Sequence, residues 1–254
     1  MSLKTLENSL ELLQFFTRET PSWGVRELAK EIGISHSIVY RILSTYEKFG
    51  FLRQDGNSKK YELGFRFLEY GQMVKEKISL SEYVNPLMKE LSEKVGESVF
   101  LTWREQMDGV TVEIAECAHK IKFAVSIGTR TPLYAGASCK VIMAYLSKEE
   151  QMEIINSGIQ PFTKNTIMDQ KALLLDLDEI KVKGWCYSVG EFSESIFGLG
   201  VPLFNRQRDV IASLTISGPE YRMEEVDFNH TLTLLQEHAE KIQQYFYQFS
   251  SVYK

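Results

Sequence analysis

Leu3, Leu6, Leu10 and Leu13, followed by Phe15 and Phe16, recur at intervals of three and four residues, the spacing of one face of an amphipathic helix. Residues 19–24 (ETPSWG) break it, with Trp23 expected as an edge anchor. The period then resumes in two short runs. Leu28, Ala29 and Ile32 form one apolar face, and Gly33 ends that helix because glycine past a helix end accepts positive φ without steric cost. Ile34 is expected to plug the space between the two helices, and Ser35 to cap the second through its hydroxyl. The second helix is expected to bury Ile38, Val39, Ile42, Leu43 and Tyr46 and to leave His36, Ser37, Tyr40, Arg41, Ser44 and Thr45 outward. Phe51–Arg53 and Lys60–Leu63 read as strands around the polar turn 54–59, which contains Asp55-Gly56. Two crossed helices followed by a hairpin make a winged helix-turn-helix, assigned here to residues 1–63.

Residues 64–78 carry a thinner stripe, Phe65, Leu68 and Met73 or Val74, read as a linker helix whose apolar side looks for a partner helix in a second subunit. A second domain, 79–254, opens with Tyr83, Val84, Leu87, Met88, Leu91 and Val95 at helical spacing; Pro86 marks the early turns and Gly96 the end. Ser98–Arg104 and Val110–Cys117 alternate as strands joined through Asp108-Gly109, and Ile121–Ile127 alternates as a third. Gly136–Leu146 reads as a helix, Ser147 with Glu150 as a capping box opening another, and Asp169–Lys183 as a third. Phe197–Phe204 and Val210–Ser217 follow as strands, then a closing helix over Glu224–Phe249 with Leu232, Leu235, Ala239, Ile242 and Phe246 in register. The predicted class is α+β, a mostly antiparallel sheet with helices on its faces.

Charge sharpens this picture. The 254 residues carry a formal charge of −5, with 44% hydrophobic and 25% charged residues. Residues 1–62 hold nine basic and eight acidic side chains, the remainder twenty and twenty-six. Between Ser35 and Lys60 the ratio is five to two. A basic face on an acidic chain suits a DNA-reading head on a body that avoids DNA. The outward face of the second helix is small, polar and hydrogen-bonding, with one guanidinium, as major-groove readout requires. Ser35, His36, Ser37, Tyr40, Arg41 and Thr45 are the candidate DNA contacts there, with Arg53, Lys59 and Lys60 reaching phosphates from the hairpin.

The three cysteines, Cys117, Cys139 and Cys186, are odd in number and widely spaced, which argues against a disulfide framework or a structural zinc site. No apolar run is long enough to span a membrane and no signal peptide is visible, so a cytoplasmic protein is expected.

Two segments carry a more specific likeness. Residues 128–146 (GTRTPLYAGASCKVIMAYL), and Glu191 with 196–219, which contains GVPLF and SLTISGP, resemble the two motifs of the IclR family of transcription regulators. The winged helix and the order of parts resemble that family too. The resemblance implies a linker helix and a GAF-like domain that binds a small effector. It also implies a homo-oligomer, dimer or dimer of dimers, on palindromic double-stranded operators, acting as repressor or activator; repressor is the expectation here. Cys139 stands where the family has a glycine before lysine, and Tyr134 where a histidine is common; both fall at the expected pocket mouth.

Pro132–Ala135 leads into a helix starting near Ala137, whose first N–H groups lack intrahelical partners and carry the positive dipole end. Ala135, Gly136, Ala137 and Ser138 let a ligand approach the backbone closely, so a small carboxylate is the expected effector; Cys139 is counted with the site. Resemblance places Phe123, Ser188, Gly198, Thr215 and Ser217 across from it; two-residue spacing puts Thr215 and Ser217 on one strand face. Other chemistries fit less well. Gly136-Ala-Ser-Cys-Lys140 lacks the second glycine of G-x-S-x-G and has no identifiable His/Asp partner, so no catalytic residue is assigned. Cys139 at a helix start is either an oxidant sensor with a lowered pKa or a buried filler. Cys117 with His119 gives two metal ligands from one strand, too few for a site, and neither metal nor cofactor is expected. The rival readings are a small-molecule enzyme or a redox sensor with an appended DNA-binding head.

Overall fold

The computed structural model describes residues 3–78, 80–223 and 227–249. The chain divides into two compact units, Met1–Ile78 and Ser79–Lys254.

In the first unit, helices α1 (Lys4–Leu13), α2 (Val25–Ile32) and α3 (His36–Lys48) precede strands β2 (Leu52–Gln54) and β3 (Tyr61–Leu63) and helix α4 (Phe65–Ile78). A strand missed by periodicity, β1 (Ser22–Trp23), joins β3 to make an antiparallel sheet in the order β1-β3-β2. Two residues are too few to show alternation. Trp23 is the expected anchor: its indole N–H donates to Phe15 O at 2.7 Å and its ring meets Phe15 edge-on. Gly33 ends α2 at φ 70. Leu12, Leu28, Val39, Ile42, Leu43, Leu52 and Tyr61 close the core.

Three expectations fail here. Leu3, Leu6 and Leu10 are exposed at 73%, 54% and 54%, and Leu12 faces the core instead. The stripe on α1 is real in the sequence, but within this unit only the helix end has neighbours to bury it. Ile38 is likewise exposed, whereas Val39, Ile42 and Leu43 are buried. Ser35 occupies the N-cap of α3 without a side-chain cap bond; its hydroxyl lies 3.4 Å from that of Ser37, and solvent is available to the open N–H groups.

The second unit opens with a π-helical turn (Leu80–Val84) running into α5 (Asn85–Val95), where Pro86 sits in the first turn and Gly96 caps at φ 74. Strands β4 (Ser98–Glu105), β5 (Asp108–Ala115), β6 (Arg130–Pro132), β7 (Cys186–Val189), β8 (Ile196–Phe204) and β9 (Val210–Pro219) form one antiparallel sheet in the order β6-β5-β4-β9-β8-β7. Helices α6 (Ala137–Met143), α7 (Lys148–Asn156), α8 (Gln170–Lys183), α9 (Glu220–Met223) and α10 (Phe228–Phe249) complete it. Successive residues of a strand point to opposite faces. Thr102 turns toward the α6 side, while Trp103 meets Phe246 of α10 at 5.6 Å. The sheet is thus covered by α6, on which α8 packs, on one face and by α5 and α10 on the other. The Ser147–Glu150 capping box opens α7 as predicted, the Asp169 carboxylate caps α8, and Leu235, Ala239, Ile242 and Phe246 are buried along α10. The start of the predicted closing helix, 224–226, lies outside the described residues.

The β4–β5 turn falls at Gln106-Met107, with Gln106 at φ 58, so Asp108-Gly109 belongs to β5 and not to the turn. Close approach explains the glycine: a Cβ on Gly109 would sit 2.6 Å from Thr102 Cγ2 and 2.8 Å from Cys139 Sγ. Residues 121–127 are not a strand, although they alternate. The free edge of β5 is taken by Thr129 to Pro132 instead: Thr111 N donates to Thr129 O, and β6 pairs with Asp108–Val110. β7 and the four-residue α9 were missed for the same reason as β1, being too short for a period to register.

Candidate functional site: an exposed helix face and a hydroxyl-lined cavity

The exposed face of α3 is built by its buried one. Val39, Ile42 and Leu43, packed against α2 and the hairpin, turn His36, Ser37, Tyr40, Arg41 and Thr45 outward. Local bonds already engage part of this set. The Thr45 hydroxyl donates to Arg41 O at 2.6 Å, and Ser44 to the same carbonyl at 3.2 Å. In the hairpin, Asp55 Oδ1 accepts from Asn57 N, Ser58 N and the Ser58 hydroxyl, and these bonds hold its carboxyl below the usual range. Lys59 stands exposed at φ 58 on this turn. Arg53 is paired with Glu62 and Lys60 with Glu27, each at 2.9 Å, so two of the three expected phosphate contacts begin in ion pairs.

In the second unit a small cavity of about 60 Å³ opens between the sheet and the first turn of α6. Glycines shape it. Gly136 reaches φ 77 as N-cap of α6. A Cβ on Gly198 would sit 3.0 Å from Ala137 Cβ, and one on Gly200 2.8 Å from Thr215 Oγ1, so β8 admits α6 only because both positions lack side chains. The Ser213 hydroxyl fixes α6 to the sheet by donating to Ser138 O at 2.7 Å.

Of the residues expected at the effector site, Phe123, Ala137, Ser138, Ser188, Gly198, Thr215 and Ser217 all line this cavity. Cys139 does not. It is fully buried, its thiol turned toward β5 with Thr131 O at 3.5 Å, and burial pushes its pKa up to about 12. That is opposite to the lowering a thiolate sensor needs. Tyr134 also lies off the cavity: its hydroxyl is bonded to the Gln160 backbone, accepting from N at 3.0 Å, on a separate groove beside α7. Among the described residues no group of three or more metal-ligating side chains occurs.

The two hydroxyls of β9 differ. Ser217 donates to Phe197 O at 2.5 Å, but Thr215 Oγ1, on a residue 4% exposed, has no hydrogen-bond partner among the described residues. A buried hydroxyl without a partner costs stability unless something else bonds it.

Sequence reasoning missed the charged wall. Lys140, 1% exposed, reaches Asp176 at 2.8 Å and Glu191 at 2.6 Å; Glu191, which lines the cavity, accepts from Gly136 N at 3.2 Å through its other oxygen. The first N–H of the expected anion seat is therefore already taken by a carboxylate of this chain. Burial raises the Glu191 pKa against the pull of Lys140. Burial alone would lower that of Lys140, but the carboxylates of Glu191 and Asp176 beside it hold it above its ordinary value. The signal was present in the sequence: a lysine within the apolar run Cys139–Leu146 is either misplaced or paired.

Comparison with known proteins gives a consistent picture. Residues 5–56 match the model of the IclR helix-turn-helix domain, and 72–244 that of the bacterial transcriptional regulator IclR C-terminal domain. The HTH-type transcriptional regulator KipR of Bacillus subtilis is 35% identical over 228 residues, covering 87% of this chain and 88% of that protein. An IclR transcriptional regulator from Alicyclobacillus acidocaldarius has the same fold, with TM-score 0.84 at 21% identity over 97% of this chain and all of the other. An IclR homolog from Microbacterium hydrocarbonoxydans, solved with 4-hydroxybenzoate, superposes with TM-score 0.79 at 19% identity, covering 95% of this chain and 98% of that one.

Proposed function

The chain belongs to the IclR family of bacterial transcriptional regulators, and from that premise we propose how its parts divide the work. It is a DNA-binding regulator whose activity a small effector modulates. Residues 1–63 are the DNA-reading head, 64–78 the linker helix and 79–254 the effector domain. Ser35, His36, Ser37, Tyr40, Arg41 and Thr45 meet the major groove, and Arg53, Lys59 and Lys60 the phosphates. The protein works as a homo-oligomer on a two-fold operator in the cytoplasm, as a repressor. The exposed apolar side of α4 (Phe65, Leu68, Met73, Val74) supports subunit pairing.

The effector is a small carboxylate, held by Thr215, Ser138 and Ser188 and by the N–H groups of α6 that Glu191 leaves open. The Thr215 hydroxyl in the cavity carries this reading: it needs a hydrogen-bond partner that none of the described residues supplies. The carboxylate-bearing ligand of the Microbacterium homolog supports the class. The domain binds and releases this ligand without altering it, and so is no enzyme.

A thermal-shift screen of small carboxylates, sugar acids and amides tests this. A ligand that binds only the folded protein stabilises it by about 2.7 kcal/mol at a hundred times its dissociation constant. The Thr215→Val variant should lose about tenfold in affinity for the hit, the size of one good hydrogen bond to a charged group. The hit should be recovered unchanged and should shift operator affinity. A screen in which only neutral amides bind overturns the carboxylate, and turnover of the hit overturns the sensor.

A further inference from the structure

Ile38 is the one large aliphatic side chain on the outward face of α3. The pattern of the sequence assigns it to the core, yet it is 39% exposed while Val39 beside it is fully buried. It shares a ridge with Arg41 and Thr45, at spacings of three and seven residues. Along that ridge the Thr45 hydroxyl is turned back onto Arg41 O, which removes a polar contact from the surface. The exposed ridge is thus a guanidinium beside a branched aliphatic group, in the first two turns of the helix.

In the major groove the two chemistries have distinct targets: arginine bonds guanine O6 and N7, and apolar groups meet the 5-methyl of thymine. Three residues of helix rise about 4.5 Å, and successive bases of a strand are about 3.4 Å apart along the duplex. We propose that Ile38 is a specificity residue that reads a thymine methyl one or two base pairs from the guanine held by Arg41. This rests on the DNA-reading role proposed for α3 and goes beyond it by naming the base and the group on it. A polar residue at position 38 would serve phosphate or water contacts equally well; an isoleucine gains only where a methyl group meets it.

The test begins with selection of binding sites by the full chain from a random duplex library. The selected sites should hold a guanine and a thymine within two positions of each other in each half-site. Replacing that thymine by deoxyuridine, which removes only the methyl, should weaken wild-type binding about fourfold, the worth of one buried methyl group. The Ile38→Ala variant should bind the thymine and deoxyuridine duplexes equally and lose the thymine preference on reselection. Because Ile38 is exposed, its unchanged melting temperature is the check on folding. Sites without such a thymine, or an Ile38→Ala variant that weakens all duplexes alike, overturn the inference and leave the DNA-reading role standing. A wild-type chain that selects no sequence at all overturns the DNA-reading role itself.

Discussion

Replacing Lys140 by methionine is expected to destabilise the second unit by about 3–5 kcal/mol, the cost of removing one partner of a buried ion pair. Methionine replaces the four-atom apolar stem and omits only the terminal nitrogen, so little cavity is created. What is lost is the ammonium between Glu191 and Asp176. Asp176 is partly exposed and can turn to water, but Glu191 is held inside by its bond to Gly136 N. The loss should depend on pH with a definite sign. Burial already raises the Glu191 pKa, so its protonated form suits the folded state, and the stability it confers fades as pH rises through the folded value. Without Lys140 that pKa rises further. The variant should lie closest to wild type near pH 5 and fall away toward pH 8. Adding Glu191→Gln should recover most of the difference at pH 8, since a neutral amide can still accept from Gly136 N. Urea unfolding at the two pH values measures this. A single variant as stable as wild type at pH 8 would remove the ion pair from any account of the cavity wall.

Arg41→Ala is expected to weaken operator binding at least tenfold, within the range of about 1–3 kcal/mol for one specific base contact, and to relax the preference at a single base pair. Lys59→Ala should behave differently. Lys59 stands exposed on the hairpin turn, and its loss should weaken all duplexes alike and lower the salt slope by about one. Arg53 and Lys60 should contribute less than Lys59, because each must first give up Glu62 or Glu27. Fluorescence anisotropy on a selected operator at two salt concentrations separates these behaviours. Unchanged affinity in Arg41→Ala would refute its place in the groove.

Both expectations join a legible element to one that was hidden. The helix-turn-helix could be read because its signals are local: an apolar period, a glycine at a helix end, a polar turn between two short strands. The cavity residues on β8 and β9 were placed by a family motif, and their meeting in space followed. The strand predicted at 121–127 shows the limit of periodicity. Alternation says that a chain is half covered, not that a free edge is there to pair with it. Cys139 shows another limit: a helix start lowers a thiol pKa only where the thiol faces the dipole and solvent, and this one is turned into the sheet behind Gly109.

By itself the sequence determined the two-part plan, the winged helix-turn-helix, most of the helices and the longer strands, since each depends on neighbours a few residues apart. Tertiary structure alone decided that Ile38 faces outward, that the Thr215 hydroxyl in the cavity finds no partner among the described residues, and that Lys140 finds Glu191 across 51 positions of chain. Such outcomes depend on which distant surfaces meet, and a helix or strand carries no local mark of what will be laid against it.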